Sequence, residues 1–510
     1  MPEGHSSSIV RRLPPSEATN RWTGGARHGL PRAYGPMDLV VMGVGVMIGA
    51  GIFSLAGRQA ATMAGPGVVL SFMIAGITSL LVAFCFAELS SALPTSGSAY
   101  TFTYVIFGEV WAWAVGWALV LELLLAGAGV SRVWSLYAAQ LLTDLGVRFP
   151  EPLAPFIGRS EGFDLFTLFI LLLMTGVITL GTRIGLRALR IIVAAKLLAI
   201  GAVIVVGVTH FDQRNLSAIP VPPAPAGPSV DALHSPLLGL LFGQPGAFGW
   251  FGIFAASAVI TFAYIGFDVV ATAAEEAEDA PLSVPKGIIR SLIVTTVVYI
   301  AVALVMVGMI SYDRIDVEAP LANAFRAAGE GFMVHVINLG AVLGLTTVVL
   351  VLLVGLTRVM FSMARDGLFP RSLAKVDRRY HSPTRVTLLI GGVAIVVAEF
   401  VPVLTLEPLV VIGTLFVFVA VAAGVLRMRR TMPDLPRGFR VPFSPFVPMA
   451  SIAACLWLLV NLQIITWLYF AAWMAVGLLV YLLYGRHNSV LAGNGQVPPS
   501  GPGLRGRHRR

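Results

Sequence analysis

Gly43, Gly45, Gly49 and Gly51 are spaced along the run DLVVMGVGVMIGAGIFSLAGR (38–58), which is free of charge between Asp38 and Arg58. About twenty such residues can cross a bilayer as a helix, yet glycine is the costliest ordinary residue in a helix interior. Two chemistries fit the cluster. Small residues let a neighbouring helix approach closely. Alternatively, the helix opens at Ile48, Gly49, Ala50 and Gly51, and the bare N–H groups of the half-helix that follows suit a carboxylate. A nucleotide-binding loop fits poorly, because residues 43–48 lack the final glycine and no strand–helix unit surrounds them.

A second interruption lies in TFAYIGFD (261–268), where Gly266 and Asp268 sit in the middle of an apolar run. Two broken helices at matching places of two inverted halves are a sequence pointer to a transport site, and the pair favours opening over packing. Lys196 stands alone in IIVAAKLLAIG, about nine residues into its span, or about 13 Å deep at a rise of about 1.5 Å per residue. A snorkelling ammonium is one reading. From near the middle of a hydrocarbon core about 30 Å thick that reach is difficult, and intramembrane lysines generally serve function. An amine held out of water can gain and lose a proton under physiological conditions. Glu122 and Asp268 are candidates for a gate, a proton path or a cationic side chain's partner, with simple pairing to a nearby cation as the alternative. Arg132 and Glu88 read as members of helix-end or interhelical pairs. The acidic run Glu275, Glu276, Glu278, Asp279 reads first as a solvated face.

The elements that position these groups follow from composition. The 510 residues are 57% hydrophobic and 12% charged, with mean hydropathy +0.84, far from the roughly 25% charged of a soluble chain. This is an all-α polytopic membrane protein. Apolar runs give about twelve spans, near 37–58, 67–91, 108–142, 163–181, 187–209, 248–275, 287–311, 333–363, 385–402, 405–427, 446–465 and 467–485. Spans 1–5 (37–209) and 6–10 (248–428) are expected to be the inverted halves, with spans 11 and 12 (446–485) added. The remaining pieces are an N-terminal tail (1–36), an outer loop (210–247) containing the Pro-rich stretch 220–228, an inner loop (429–445) and a basic tail (486–510). With the N-terminus inside, 26 of the 35 Lys and Arg fall on inner segments and six on outer ones. That bias places both termini in the cytoplasm and the chain in the cell membrane. The net charge of +9 therefore reflects topology rather than nucleic acid. Residues 1–36 lack the short apolar core of a signal peptide. Cys85 and Cys455, both in apolar runs, exclude a disulfide framework.

Four motifs carry a resemblance: GVGVMIGAGIF (43–53), FAELSSALPTSGSAYTFTYVIFGEVWAWAVGW (86–117), TFAYIGFDVVATAAEEAEDAPLSVPKGI (261–288) and TRVMFSMARDGLFP (357–370). In this order they resemble the amino acid–polyamine–organocation superfamily, and in particular bacterial relatives of the cationic amino acid transporters. The resemblance spans about residues 37–485. It implies a five-plus-five inverted repeat with helices 1 and 6 broken, and amino acids as substrates. Backbone N–H groups at Gly49, Ala50 and Gly51 would take the carboxylate. Carbonyls of Phe262, Ala263 and Ile265, with Ile48 a further candidate, would take the ammonium. The family commonly has Thr or Ser where this chain has Ala50, so a hydroxyl contact to the carboxylate is missing. A lysine at the place of Lys196 substitutes for a sodium ion by bridging helices 1 and 8, which implies proton coupling without sodium. Leu352 matches a wall position whose bulk favours small or mid-sized neutral side chains. For the acidic run 275–279 the resemblance allows a cytoplasmic gate role, and Arg358 and Arg365-Asp366 read as loop or gate electrostatics.

The expected partners are an amino acid, a proton and the lipid bilayer, with no cofactor, metal or nucleic acid; a partner subunit is not readable. A channel would need an open pore and gives no reason for a lone lysine. An enzyme is poorly supported, since the eight histidines show no ligand spacing and no HExxH or Ser-His-Asp pattern appears.

Overall fold

The computed structural model describes residues 11–16, 34–49, 51–180, 186–217, 219–223, 232–242, 247–317, 319–377 and 382–492. Among these the chain is helical, with two isolated bridges and no strand. Ala50 lies outside the described residues, as do most of both tails and part of the Pro-rich stretch.

The first helix shows why the chain folds as it does. Pro36 opens α1 (Pro36–Met47), as suits a first helical position, and Asp38 caps it by accepting the Gly35 N–H at 3.1 Å. The apolar run would continue, but α1 stops at Met47 and Ile48 is extended (φ −72°, ψ 94°). Helix resumes in α2 (51–64), a π turn Gly51–Leu55, an α turn Ala56–Gln59 and a π turn Ala60–Ala64. The expected end near Arg58 is thus passed. Arg58 does not stop the helix because its guanidinium is paired, with Glu407 and Ser54 both at 2.8 Å.

Then come α3 (Val68–Ala92), α4 (Ser98–Ile106), α5 (Glu109–Asp144), α6 (Leu165–Thr179) and α7 (Leu186–Thr209). The sixth expected span is split into α8 (Gly249–Ile260) and α9 (Phe267–Thr272). The rest of the bundle is α10 (Ala280–Met309), α11 (Pro320–Ala327), α12 (Gly331–Arg365), α13 (Thr384–Phe400), α14 (Val403–Thr431), α15 (Phe446–Val460) and α16 (Ile464–Val480). Several are long and apolar enough to cross a bilayer, and apolar side chains such as Ile77, Leu198, Val205 and Leu483 stand exposed on the outside. A water-soluble surface would not carry such a belt; lipid covers it without cost.

Packing divides the helices. α10 lies against α1 and α3, and α3 also holds α8. Close approach of α1 to α10 depends on Gly43, where a Cβ would sit 2.4 Å from the Ser291 hydroxyl. Around the long helix α5 pack α12 and α14, while α13 holds α6. A buried ion cluster ties this second group together: Arg132 on α5 reaches Glu399 at 3.3 Å and Asp164 at 3.8 Å. The two interrupted helices belong to the first group and face the second.

Candidate functional site

At the first break the chain leaves carbonyls without helical partners, as any helix C-terminus does. Lys196 of α7 supplies donors. Its ammonium, fully buried, gives hydrogen bonds to the carbonyls of Gly45 (2.5 Å) and Ile48 (2.9 Å) and to the Thr347 hydroxyl (3.4 Å). Thr347 on α12 passes its own proton to the Gly344 carbonyl at 2.7 Å, so its oxygen is an acceptor for the lysine. The cation sits where α1 presents the negative end of its dipole and joins three helices. The Ile48 carbonyl is therefore already engaged by Lys196.

Past Ile48, the N–H groups of Ile52 and Phe53 both return to the Gly49 carbonyl (3.2 and 3.4 Å). Gly51 begins the second half, and the first N–H groups of a helix lack intrahelical acceptors. Only glycine fits there: a Cβ would stand 2.2 Å from the Cβ of Ala263. The two breaks touch at this point.

The second break is built differently. α8 passes into a 3₁₀ turn, Thr261–Tyr264, then extended Ile265 (φ −61°, ψ 136°), then Gly266 at φ +120°. That φ requires glycine, and a Cβ there would meet Val46 Cγ1 at 2.3 Å. The Asp268 carboxylate accepts the Gly266 N–H at 3.0 Å and so caps α9. Phe262 gives its carbonyl to the Ile265 N–H at 3.2 Å. The Tyr264 hydroxyl points to α3, donating to the Phe72 carbonyl at 2.9 Å.

Tyr299 of α10 links the breaks. Its hydroxyl lies 2.9 Å from the Ala263 carbonyl and also contacts the Met47 carbonyl. A phenol has one proton, so it can satisfy only one of them at a time.

Between the breaks is a small cavity. Gly51, Phe262, Ala263, Ile265 and Leu352 line it, with Ala126 and Val130 of α5 on the opposite wall. Ile48 and Gly49 adjoin it and Lys196 lies behind the first break. Glu122 and Asp268 do not line it. Glu122 is one helical turn from Ala126, fully buried, and among the described residues neither of its carboxyl oxygens has a hydrogen-bond partner.

Ion pairs stand on either side of the cavity. Arg58 of α2 pairs with Glu407 of α14 at 2.8 Å. Toward the other face Arg358 of α12 pairs with Glu276, just past α9, and Arg365 lies 4.0 Å from Glu275. Glu275 and Glu276 are thus paired, not simply solvated. Backbone bonds between Tyr34 and residues 276 and 278, both 3.1 Å, tie the start of α1 to the end of α9. Burial of the Tyr34 phenol pushes its pKa above the ordinary value. Sequence reasoning missed Tyr299, Thr347 and the Arg58–Glu407 pair. The one available signal was a polar residue within or at the edge of an apolar run.

Comparison with known proteins agrees with this architecture. A family model for amino acid permeases matches residues 34–484. The chain is 39% identical over 464 residues to the methylthioribose transporter of Bacillus subtilis, covering 91% of this chain and 95% of that one. It is 39% identical over 467 residues to the branched-chain amino acid permease BcaP of the same organism, again covering 91% and 95%. Similarity extends to the vacuolar cationic amino acid transporter 2 of Arabidopsis thaliana, 34% identical over 445 residues, 84% of this chain and 64% of that one.

Proposed function

Since the chain belongs to the amino acid permease family, we propose that it imports L-amino acids across the cell membrane by alternating access, driven by protons and without sodium. In this reading twelve helices cross the membrane with both termini in the cytoplasm, and α1–α7 and α8–α14 contain the two inverted halves. The observation that carries the proposal is the meeting of two helix breaks across one small cavity. An amino acid presents a carboxylate and an ammonium whatever its side chain, and both need partners out of water. The break between α1 and α2, at Gly49 and Gly51, offers N–H donors to the carboxylate. The carbonyls of Phe262, Ala263 and Ile265 offer acceptors to the ammonium, and Tyr299 yields the Ala263 carbonyl when substrate arrives.

Selectivity then rests with the walls. Those facing the cavity are apolar, with Leu352, Ala126 and Val130 among them, which supports small to mid-sized neutral side chains over cationic ones. Lys196 takes the place a sodium ion would fill, holding α1 against α12 when protonated and releasing it when the proton leaves. Glu122 and Asp268 are the candidates for the remaining proton path. The Arg58–Glu407 and Arg358–Glu276 pairs act as outer and inner closures that open in turn.

The test is uptake by purified protein in sodium-free liposomes with an inward proton gradient, offering valine, leucine, arginine and methylthioribose. Accumulation of valine or leucine that collapses with the gradient is expected. Accumulation of arginine alone, or of methylthioribose alone, would reject the wall argument, and sodium-dependent uptake would reject the role of Lys196.

A further inference from the structure

A separate assembly brings together residues 11–13 and 486–490 beside α4 and α5. Glu109 opens α5 and is 1% exposed. One carboxylate oxygen accepts the hydroxyls of Tyr104 (3.2 Å) and Ser489 (2.5 Å), and the other accepts that of Tyr481 (3.0 Å). The Arg11 guanidinium lies 3.9 Å away. The Glu109 N–H donates to the Arg11 carbonyl at 2.8 Å, so the N-terminal segment supplies an acceptor to the first turn of α5. Two residues on, Leu13 is 3% exposed and gives its N–H to the Tyr104 carbonyl at 3.4 Å. From the other end of the chain, the Arg486 carbonyl accepts from Arg11 (3.4 Å) and the Val490 N–H donates to the Asp366 carbonyl (3.0 Å).

Among the described residues the N-terminal segment precedes the first long helix, which begins at Pro36, and the C-terminal one starts in the last turn of the final helical run, Ile464–Asn488, and leaves it. Leu13 bonds α4 directly, the C-terminal segment reaches α4 through Glu109 and Asp366, which accept the hydroxyls of Tyr104 and Tyr100, and α4 in turn adjoins the half-helix α9. The Ser96 N–H and hydroxyl both reach Glu275 at 2.8 Å, and the Ser98 hydroxyl reaches the Asp268 carbonyl at 3.4 Å. A buried carboxylate with three hydroxyl donors is costly to undo, because each lost donor leaves charge uncompensated.

We propose that residues 11–14 and 486–490 form a strap that steadies α4 and thereby holds α9 closed on this face. The consequence for transport rests on the alternating-access reading above, but the strap itself is tested without substrate. In the full-length chain, A273C places a thiol at the buried end of α9, where Ala273 is 0% exposed; Cys85 and Cys455 are also 0% exposed. The rate of its reaction with a membrane-impermeant maleimide, applied to the face where Glu109 lies, reports opening. Leu13→Asp puts a charge into an apolar site and should expel the N-terminal arm, speeding labelling by about tenfold or more. Ser489→Ala removes one hydrogen bond from Glu109 and should speed it by about threefold. Unchanged labelling in both variants, at wild-type thermal stability, overturns the strap. If Leu13→Asp lowers thermal stability, Ser489→Ala alone decides by the same criterion. Faster labelling with no amino acid uptake would keep the strap and reject the transport reading.

Discussion

The two helix breaks face each other across one cavity but are held by different means. At the first, the exposed carbonyls of Gly45 and Ile48 are gripped from outside by Lys196, which also reaches Thr347 on a third helix. At the second, the chain caps itself: Gly266 takes a backbone angle that suits glycine, and Asp268 two residues on accepts its N–H. The first break therefore depends on an ionisable group brought by another helix, and the second on one within its own turn. In the proposed mechanism the proton on Lys196 acts at the first break, while Gly266 keeps the backbone of the second in place. That asymmetry suits a transporter in which one half-helix must respond to an ion and the other must keep its acceptors in place.

Substitutions that separate the two breaks sharpen this contrast. Lys196→Ala should have the largest effect, abolishing proton-driven accumulation in liposomes because the donor at the first break is gone. Proton-driven uptake at the wild-type rate would remove that assignment. Gly266→Ala attacks the second break through strain of about 1–3 kcal/mol and a clash with Val46. It should lower both thermal stability and uptake, the latter at least tenfold by about 1.4 kcal/mol per decade, with the response to proton gradient retained in what remains. Tyr299→Phe should do least. It removes one hydroxyl shared between the breaks, worth about 1 kcal/mol, and should change KM by about fivefold with little change in stability; an unaltered KM would exclude Tyr299 from the site.

Much of this was legible in the residues alone, for physical reasons. Glycine in an apolar helix carries a cost that needs explanation, and Gly49, Gly51 and Gly266 each prove to sit where a Cβ would collide. A charge in an apolar run is equally conspicuous, so Lys196 stood out. Tyr299 did not, because a tyrosine among valines and isoleucines reads as an ordinary membrane aromatic until its hydroxyl is seen between two carbonyls. Thr347 was hidden likewise in an apolar stretch of α12. The first helix was read as ending near Arg58, since unpaired charge stops a span. The partner that lets the helix continue, Glu407, lies 349 positions away, beyond any local pattern.

The central claim is that main-chain groups at two breaks grip both charged ends of one zwitterion. Its most direct test is the binding of three ligands to the purified protein by calorimetry: leucine, 3-methylbutylamine, which lacks the carboxylate, and 4-methylpentanoic acid, which lacks the ammonium. Leucine alone should bind, with each truncated ligand weaker by at least about a hundredfold, the equivalent of roughly 2.7 kcal/mol. Binding of either truncated ligand as tightly as leucine would contradict the account.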